Sequence, residues 1–160
     1  MSFTLRPYAA SDFTALYELD RDCYPPGIAY SQYMLRWYLR APGAICLLSE
    51  SSSKEIQGFI LVEAEPPRGH IITLDVAESA RRHGLGTQLT SAAESAMAER
   101  GVATVELETR ADDSIAIAFW QSRGYRAVGR IPRYYLDRID AHVMRKTLGP
   151  APNDRAAKEN

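Results

Sequence analysis

Hydrophobic residues recur along the chain at intervals that alternate between the helical and the strand period. A first helix is predicted after the start signal Ser11-Asp12, and the apolar side chains of its buried face are Phe13, Leu16, Leu19 and Cys23. The segment Tyr24-Pro25-Pro26-Gly27 ends that helix because proline cannot continue it. The next helix is predicted to carry an apolar-aromatic stripe, which consists of Tyr30, Tyr33, Met34, Trp37 and Tyr38.

The remaining apolar segments predict seven strands and two further helices. The strands are expected at about Phe3–Tyr8, Ala44–Leu48, Ile56–Glu65, His70–Val76, Ala103–Arg110, Tyr125–Ile131 and Ala141–Leu148, and the helices at about Gly84–Arg100 and Asp113–Arg123. The buried face of the longer helix is predicted to hold Leu85, Leu89, Ala92 and Ala96. The polar stretch Ser49–Glu55 predicts a hairpin loop. This order of elements predicts a mixed α/β sheet with helices on both faces.

The length favours a single domain. The chain has 160 residues, and one domain usually takes about 100–200. We therefore expect one domain over residues 1–148. From Gly149 to Asn160 the sequence is polar, contains proline and lacks periodicity, which predicts a disordered tail.

The charge excludes some partners. Nineteen Lys and Arg residues against twenty Asp and Glu leave a formal net charge of −1, which argues against a nucleic-acid binder or a polybasic membrane segment. No apolar run approaches the about 18 residues of a membrane helix, and the start lacks the basic-then-apolar order of a signal peptide. Cys23 and Cys46 have neither metal-site nor redox-motif spacing. We expect a cytosolic protein without a metal site.

A glycine-containing turn precedes the longer helix. Its sequence is Arg81-Arg82-His83-Gly84-Leu85-Gly86-Thr87. Glycine lets the backbone approach a ligand closely, and a helix N-terminus offers free N–H groups and a partial positive charge. The first acidic residue of this helix is Glu94, so the turn is predicted to bind an external anion with several phosphates. A dinucleotide fingerprint would need glycine in place of Leu89, and no P-loop motif occurs; the alternative is an ordinary surface turn.

The strand, the Arg81-x-x-Gly84-x-Gly86 turn and the amphipathic helix together resemble the acyl-CoA pyrophosphate loop of the GNAT acetyltransferases. The element order from Leu5 to Leu148 resembles that fold as well. The resemblance implies acetyl-CoA as the cofactor and a seven-stranded sheet whose central strands splay apart. It also implies that the backbone amides of residues 82–87 hold the pyrophosphate, and that Leu74 and Val76 pair their backbone with pantetheine.

The strand at Ala103–Arg110 has one polar face. Val105 and Leu107 point one way, and the opposite face carries Thr104, Glu106, Glu108 and Arg110. Because a central strand covered on both sides is normally apolar on both, this face is predicted to line a cavity. The stretch 107–111 resembles the strand end of RimI-type N-terminal alanine acetyltransferases, and this resemblance implies that Glu108 is the general base.

Two other side chains are candidates to accept the proton. Glu106 lies on the same predicted face, where its alternative role is to pair with an arginine. His70 begins the cofactor strand and titrates in a suitable range, so it is kept as a second base. His83 lies in the phosphate turn, where its backbone is expected to contribute.

The shorter helix carries a motif with two departures. The segment Asp113–Tyr125 resembles the family's Asn-x-x-Ala-x-x-x-Tyr-x-x-x-Gly-Phe pattern at the cofactor. Asp113 replaces the asparagine, and an aspartate can cap a helix but cannot donate as an amide does. Trp120 replaces the tyrosine that meets the cofactor sulfur. Since indole has no useful acidity, Trp120 is expected to shape the acyl pocket or to be a core residue, and the thiolate's proton would come from water, from another tyrosine or from no dedicated donor.

The segment near the end of the chain carries the tyrosine pair Tyr134-Tyr135, a short spacer, Asp140-Ala141 and an apolar strand. It resembles RimI-type and NatE-type catalytic subunits, which implies that the pair lies on the loop between the last two strands and clamps a peptide. The other wall would be Tyr24-Pro25-Pro26. The alternative is that the tyrosines are ordinary loop aromatics.

These observations together predict an acetyl-CoA-dependent N-acetyltransferase. The expected acceptor is the α-amino group of a protein or peptide N-terminus, such as that of a ribosomal protein, which attacks directly. The alternatives are a GNAT enzyme acting on a small amine or a lysine side chain, and a catalytically weak acyl-CoA-binding module. No nucleic acid or membrane partner is expected, and the protein is expected to be a monomer or a weak homodimer.

Overall fold

The structure, a computed structural model, describes residues 2–149. In chain order its elements are β1 (Phe3–Pro7), α1 (Phe13–Cys23), α2 (Gln32–Arg40), β2 (Ala44–Ser51), β3 (Ile56–Glu65), β4 (Arg68–Val76), α3 (Leu85–Glu99), β5 (Thr104–Arg110), α4 (Ser114–Ser122), β6 (Arg126–Tyr135) and β7 (Ile139–Thr147). No helix in the described range is both long and apolar enough to cross a membrane. Apart from Gly149, the predicted tail lies outside the described residues.

All seven strands belong to one sheet in the order β1-β2-β3-β4-β5-β7-β6. The pairs β1–β2, β2–β3, β5–β7 and β6–β7 are antiparallel, whereas β4 and β5 are parallel. The predicted seven-stranded mixed sheet is therefore confirmed. The β4–β5 ladder covers only residues 68–70 against 104–106, although β4 continues to Val76 and β5 to Arg110. This short ladder agrees with the predicted splay of the two central strands.

The chain divides into two compact units. The first takes in residues 1–63 and 71–96, and its core consists of Phe13, Leu16, Leu19, Leu35, Leu48, Phe59 and Leu61. The α1 contribution to this core is the face that the sequence predicted. Within the described residues, the second unit takes in 64–70 and 97–149, and its fully or nearly buried side chains include Met97, Val105, Leu107, Tyr125 and Met144. The single-domain boundary at residue 148 stays a prediction.

Gly69 in β4 permits close packing inside the second unit. A Cβ atom at this position would lie 2.7 Å from Met97 Sδ and 2.9 Å from a methyl carbon of Val102. Both distances are shorter than a van der Waals contact, so only glycine lets these two side chains pack directly on the β4 backbone.

The aromatic stripe is not the buried face of α2, and Tyr30 lies before the helix, which begins at Gln32. Tyr33 and Trp37 are 74% and 54% exposed, and the only fully buried side chain of the helix is that of Leu35. Leu35 forms an i, i+3, i+4 set with Tyr38 and Leu39, both of which pack against the core of the first unit. This spacing, and not the aromatic stripe as a whole, sets the buried face.

Strand β2 is longer than predicted, and it takes in residues that were assigned to the Ser49–Glu55 loop. Glu50 is buried because Arg6 neutralises it: Arg6 Nε donates to Glu50 Oε2 at 3.0 Å. The same guanidinium donates to both carboxylate oxygens of Asp12 at 2.8 Å. These contacts hold the pKa of Asp12 and of Glu50 below their usual values. A cross-strand arginine thus extends a strand whose local composition is that of a loop.

Two further features, the packing of α3 and the end of β6, add detail to the predicted elements. In α3 the fully buried face is Leu85, Leu89, Ala93 and Met97, whereas Ala92 and Ala96 are half-buried. Tyr134 and Tyr135 do not lie on a loop, because β6 runs to Tyr135. The register jumps from Ile131↔Ala141 to Tyr135↔Ile139, so a bulge accommodates Pro132, which lacks an N–H, and pairing resumes afterwards.

Replacing Gly69 by alanine is expected to lower the free energy of unfolding by about 1–3 kcal/mol, since the added methyl overpacks the core of the second unit. Gly129→Ala is the matched control, because its Cβ would meet only Val143 at 3.8 Å. Urea unfolding of both variants measures the difference. Equal stabilities would show that the packing around Gly69 adjusts without cost.

Candidate functional site

The first unit carries the predicted anion-binding turn at the start of α3. Arg82 and Gly84 adopt left-handed backbone conformations with φ of 68° and 76°, and α3 begins at Leu85 with no acidic residue in its first turn. A Cβ atom on Gly84 would meet nothing within 4 Å. The glycine is therefore required by the backbone angle and leaves open space before the helix end. These features fit an anion that approaches free backbone N–H groups.

The side chains of this turn point in different directions. Leu85 is buried in the core, so only its backbone can meet a ligand. Arg81 folds back on β4, where its Nε donates to the carbonyl oxygen of Val76 at 3.1 Å. Arg82 is exposed, and the ring of His83, also exposed, lies 6.3 Å from that of Phe3. Thr87 is half-buried, and the Gly86 carbonyl accepts from the hydroxyl of Thr90 at 2.8 Å.

The free edge of β4 is occupied by side chains from the connection between α1 and α2. Tyr24 donates its hydroxyl to the carbonyl of Leu74 at 3.0 Å, and Tyr30 donates to that of Ile72 at 3.3 Å. The predicted peptide-wall residue Tyr24 and the predicted pantetheine-pairing residue Leu74 are therefore in direct contact. A carbonyl oxygen has two lone pairs, so these bonds leave acceptor capacity at Leu74. Pro25 and Pro26 are exposed beside Tyr24.

In the second unit, the two predicted bases lie in contact with each other. His70 Nε2 and Glu108 Oε2 are 2.6 Å apart, with side-chain exposures of 40% and 24%. The His70 tautomer decides the direction of this bond: Nε2 donates when it carries the proton, because an ionised carboxylate can only accept. Glu106, which is paired with His70 in the β4–β5 register, instead accepts from Arg145 Nη2 at 3.1 Å. The arginine-partner alternative for Glu106 is thus the one that the structure shows.

Tyr135 lies close enough to Glu108 to respond to its charge. Burial raises the pKa of the Tyr135 phenol, and Tyr134 and Glu108 raise it further, while Arg110 opposes them. The phenol is therefore neutral and remains a hydrogen-bond donor. Sequence reasoning assigned Tyr135 only to a peptide clamp, and the local spacing gave no signal that it responds to the charge of Glu108.

The bulge that places the tyrosine pair is held by one carboxylate. Asp140 Oδ1 accepts from the backbone N–H of Arg133 at 2.9 Å, and its Oδ2 accepts from Arg130 Nε at 2.6 Å. These contacts lower the pKa of Asp140. Tyr134 stays half exposed, and its ring meets that of Tyr135 edge-on at 4.9 Å.

The two departures in the α4 motif have structural roles. Asp113 caps α4, since its Oδ1 accepts from the backbone N–H of Ala116 at 3.0 Å. Trp120 is buried, and its ring packs edge-on against those of Phe119 and Tyr125 at 4.9 and 5.3 Å. Trp120 is thus a core residue, and contacts of either residue with a cofactor stay predictions.

Comparison with known proteins is consistent with this arrangement. The sequence model of the acetyltransferase (GNAT) family matches residues 13–125. N-alpha-acetyltransferase 30 of Schizosaccharomyces pombe is 28% identical over 116 residues, which cover 70% of this chain and 77% of that protein. The fold is similar to that of the ribosomal-protein-S18-alanine N-acetyltransferase from Escherichia coli, with a TM-score of 0.85, 22% identity and coverage of 96% and 98%. Arabidopsis thaliana NAA60, solved in complex with acetyl-CoA, gives a TM-score of 0.81 with 18% identity and coverage of 91% and 98%.

The open space at Gly84 generates a test. Gly84→Ala is expected to raise the dissociation constant for coenzyme A by about tenfold or more, because the methyl would occupy the approach to the N–H groups. Gly124→Ala is the matched control, since Gly124 also has a positive φ, of 96°, at a helix end. Both changes should cost about 1 kcal/mol of stability through backbone strain. Calorimetric titration would contradict the anion-site assignment if both variants bound coenzyme A as the parent does.

Proposed function

Because the chain belongs to the acetyltransferase (GNAT) family, we propose that it transfers the acetyl group of acetyl-CoA to the α-amino group of a protein or peptide N-terminus. The observation that carries this proposal is the hydrogen-bonded His70–Glu108 pair. A carboxylate base suits an α-amino group, whose pKa is about 7.7–8.0, better than a lysine, whose pKa is about 10.4. The S. pombe relative is named an N-alpha-acetyltransferase, and the E. coli fold neighbour is named an alanine N-acetyltransferase. Both names support the same acceptor class.

Acetyl-CoA binding is proposed at the turn before α3. The N–H groups of residues 82–87 would hold the pyrophosphate at the helix N-terminus, and the backbone of Leu74 and Val76 would hold the pantetheine arm. Bound acetyl-CoA supplies a thioester, whose acetyl carbon is the electrophile.

Glu108 is the proposed base for the transfer. The amine nitrogen forms the bond to the acetyl carbon while the carbon–sulfur bond breaks, and the proton lost by the nitrogen passes to Glu108 directly or through water. His70 keeps the Glu108 carboxylate in one orientation through the 2.6 Å hydrogen bond. The electron pair of the broken bond stays on sulfur, and the proton that neutralises it comes from solvent, since the raised pKa of Tyr135 makes this phenol a poor acid.

Two sets of side chains are each proposed to contact the acceptor: the aromatic pair Tyr134-Tyr135 in the second unit and the segment Tyr24-Pro25-Pro26 in the first. The half-exposed Tyr134 and the two exposed prolines support this role, because such side chains offer rigid apolar contact to a peptide backbone. We further propose that the acceptor is the N-terminus of a ribosomal protein and that the specificity is RimI-like. The protein is proposed to be cytosolic and to be a monomer or a weak homodimer.

A panel of acceptors tests the function. With acetyl-CoA present, release of free thiol is expected with peptides that carry a free N-terminus and not with N-blocked lysine peptides or polyamines. Turnover on lysine peptides or polyamines with none on any N-terminal peptide would overturn the proposed acceptor. No turnover on any amine, with coenzyme A still bound, would favour an acyl-CoA-binding module.

Glu108→Gln is expected to lower kcat at least about tenfold while coenzyme A affinity stays near normal, because the amide cannot accept the proton. Glu106→Gln is the matched control on the same face of β5, and its kcat should stay within about twofold, since an exposed ion pair contributes little. Steady-state kinetics of the two variants measures both effects. Equal rates for Glu108→Gln and the parent would remove Glu108 as the base.

A further inference from the structure

We propose that Asp20 and Asp75 share one proton, and that this buried carboxyl pair positions the connection between α1 and α2 against β4. The pair lies in the first unit, outside the groups used for proton transfer. Its role in acceptor binding rests on the proposed function, because that connection carries Tyr24, Pro25 and Pro26.

Both carboxyl groups are inaccessible to solvent. Asp20 in α1 and Asp75 in β4 each have 0% exposure. Asp20 Oδ2 accepts from the backbone N–H of Tyr30 at 2.7 Å, and Asp75 Oδ1 accepts from the hydroxyl of Thr73 at 2.6 Å. The other oxygen of each, Asp20 Oδ1 and Asp75 Oδ2, is buried and has no donor in the described part of the chain.

A proton between the two groups satisfies both remaining oxygens. Two adjacent buried carboxylates cannot both ionise, and a protonated carboxyl becomes a donor. Burial and hydrogen bonding to Asp20 raise the pKa of Asp75 well above its usual value. The bond between Asp75 and Asp20 therefore exists only while the pair retains its proton.

Among the residues that the structure describes, no cation forms an ion pair with Asp20 or Asp75 and could replace that proton. The groups that act on Asp75 are Asp20 from α1, Thr73 from its own strand, and Tyr24, Cys23 and Cys46, whose pKa values are all raised by burial and by Asp75. Arg81 reaches Cys23 Sγ at 3.8 Å but is exposed. The pair is thus held by its proton, not by a counter-ion.

This bond fastens the α1–α2 connection at both ends. Asp20 holds its far end through the N–H of Tyr30. Its near end is held by Tyr24 on Leu74 and by Cys23, whose thiol donates to the Val76 carbonyl at 3.5 Å. Losing the proton would place two buried negative charges between α1 and β4 and would loosen the segment between these ends.

The pH dependence has a definite sign. Since the folded-state pKa of Asp75 is raised, the stability that its proton contributes is complete below the unfolded-state value and is lost as pH rises through the folded-state value. Asp75→Asn keeps both bonds without a titrating proton, because its amide can donate to Asp20 and accept from Thr73. The variant should therefore lack this loss at rising pH.

Two measurements on the full chain test the proposal. In a carbon-13 NMR titration of aspartate carboxyls, one carboxyl of the parent is expected to stay protonated at neutral pH, and its signal should vanish in Asp75→Asn. In kinetics, Asp75→Ala should raise the peptide KM by about tenfold, with kcat and coenzyme A affinity within about twofold, because Asp20 is left without its donor. Asp75→Asn should keep the parent KM at neutral pH, and Asp22→Asn, at an exposed position of the same helix, is the control.

Two results would overturn the pair: both carboxyls titrating in the ordinary acidic range, or an unchanged peptide KM in Asp75→Ala. If Asp75→Ala does not fold, the thermal stability of the parent and of Asp75→Asn is compared between about pH 5 and about pH 9. The same dependence on pH in both proteins would contradict a shared proton. If the parent acetylates no peptide, the proposed function fails, while the NMR titration still reports on the pair.

Discussion

The hydrogen bonding of the β4 backbone is the constraint on which the contacts of the α1–α2 connection and of Arg81 depend. A buried strand must pair its N–H and C=O groups, yet β4 pairs with β5 over only three residues. Beyond that point the carbonyls of Ile72, Leu74 and Val76, which alternate and so point to one edge, accept from Tyr30, Tyr24 and Arg81. Side chains thus replace a neighbouring strand. The cost of an unpaired backbone is avoided, and the carbonyls on this edge of β4 keep spare acceptor capacity.

The charge of the buried carboxyl groups in the first unit is neutralised in two different ways. Arg6 neutralises Asp12 and Glu50 with direct ion pairs, which keeps both carboxylates ionised. Asp20 and Asp75 have no such cation within residues 2–149, so a proton takes its place in the proposed pair. The first arrangement strengthens as pH rises through the acidic range, and the second weakens as pH rises further. The two sets fasten different parts of the first unit, β1 to β2 and α1 to β4.

At the two positions where this chain departs from the family motif, the residues have structural roles. Asp113 retains the helix cap that asparagine would provide, while Trp120 fills the core with aromatic contacts. Neither supplies an acid. In the second unit the structure brings His70 and Glu108 into hydrogen-bond contact. The Glu108 carboxylate is the group proposed to take a proton, whereas Tyr135, whose pKa is raised, keeps its own.

The sequence by itself determined the elements, the family and the residues of the turn before α3, because these depend on local periodicity, glycine positions and helix-end chemistry. Strand β3 has the predicted bounds, and the alternation that predicted a polar face on β5 is found in its burial. Only the tertiary structure decided that His70 touches Glu108, that Tyr135 lies near that carboxylate and that Asp20 meets Asp75. The partners in each of these sets are between 27 and 55 residues apart along the chain. Their contacts follow from strand register, a bulge and the packing of α1 on β4, which no local spacing encodes.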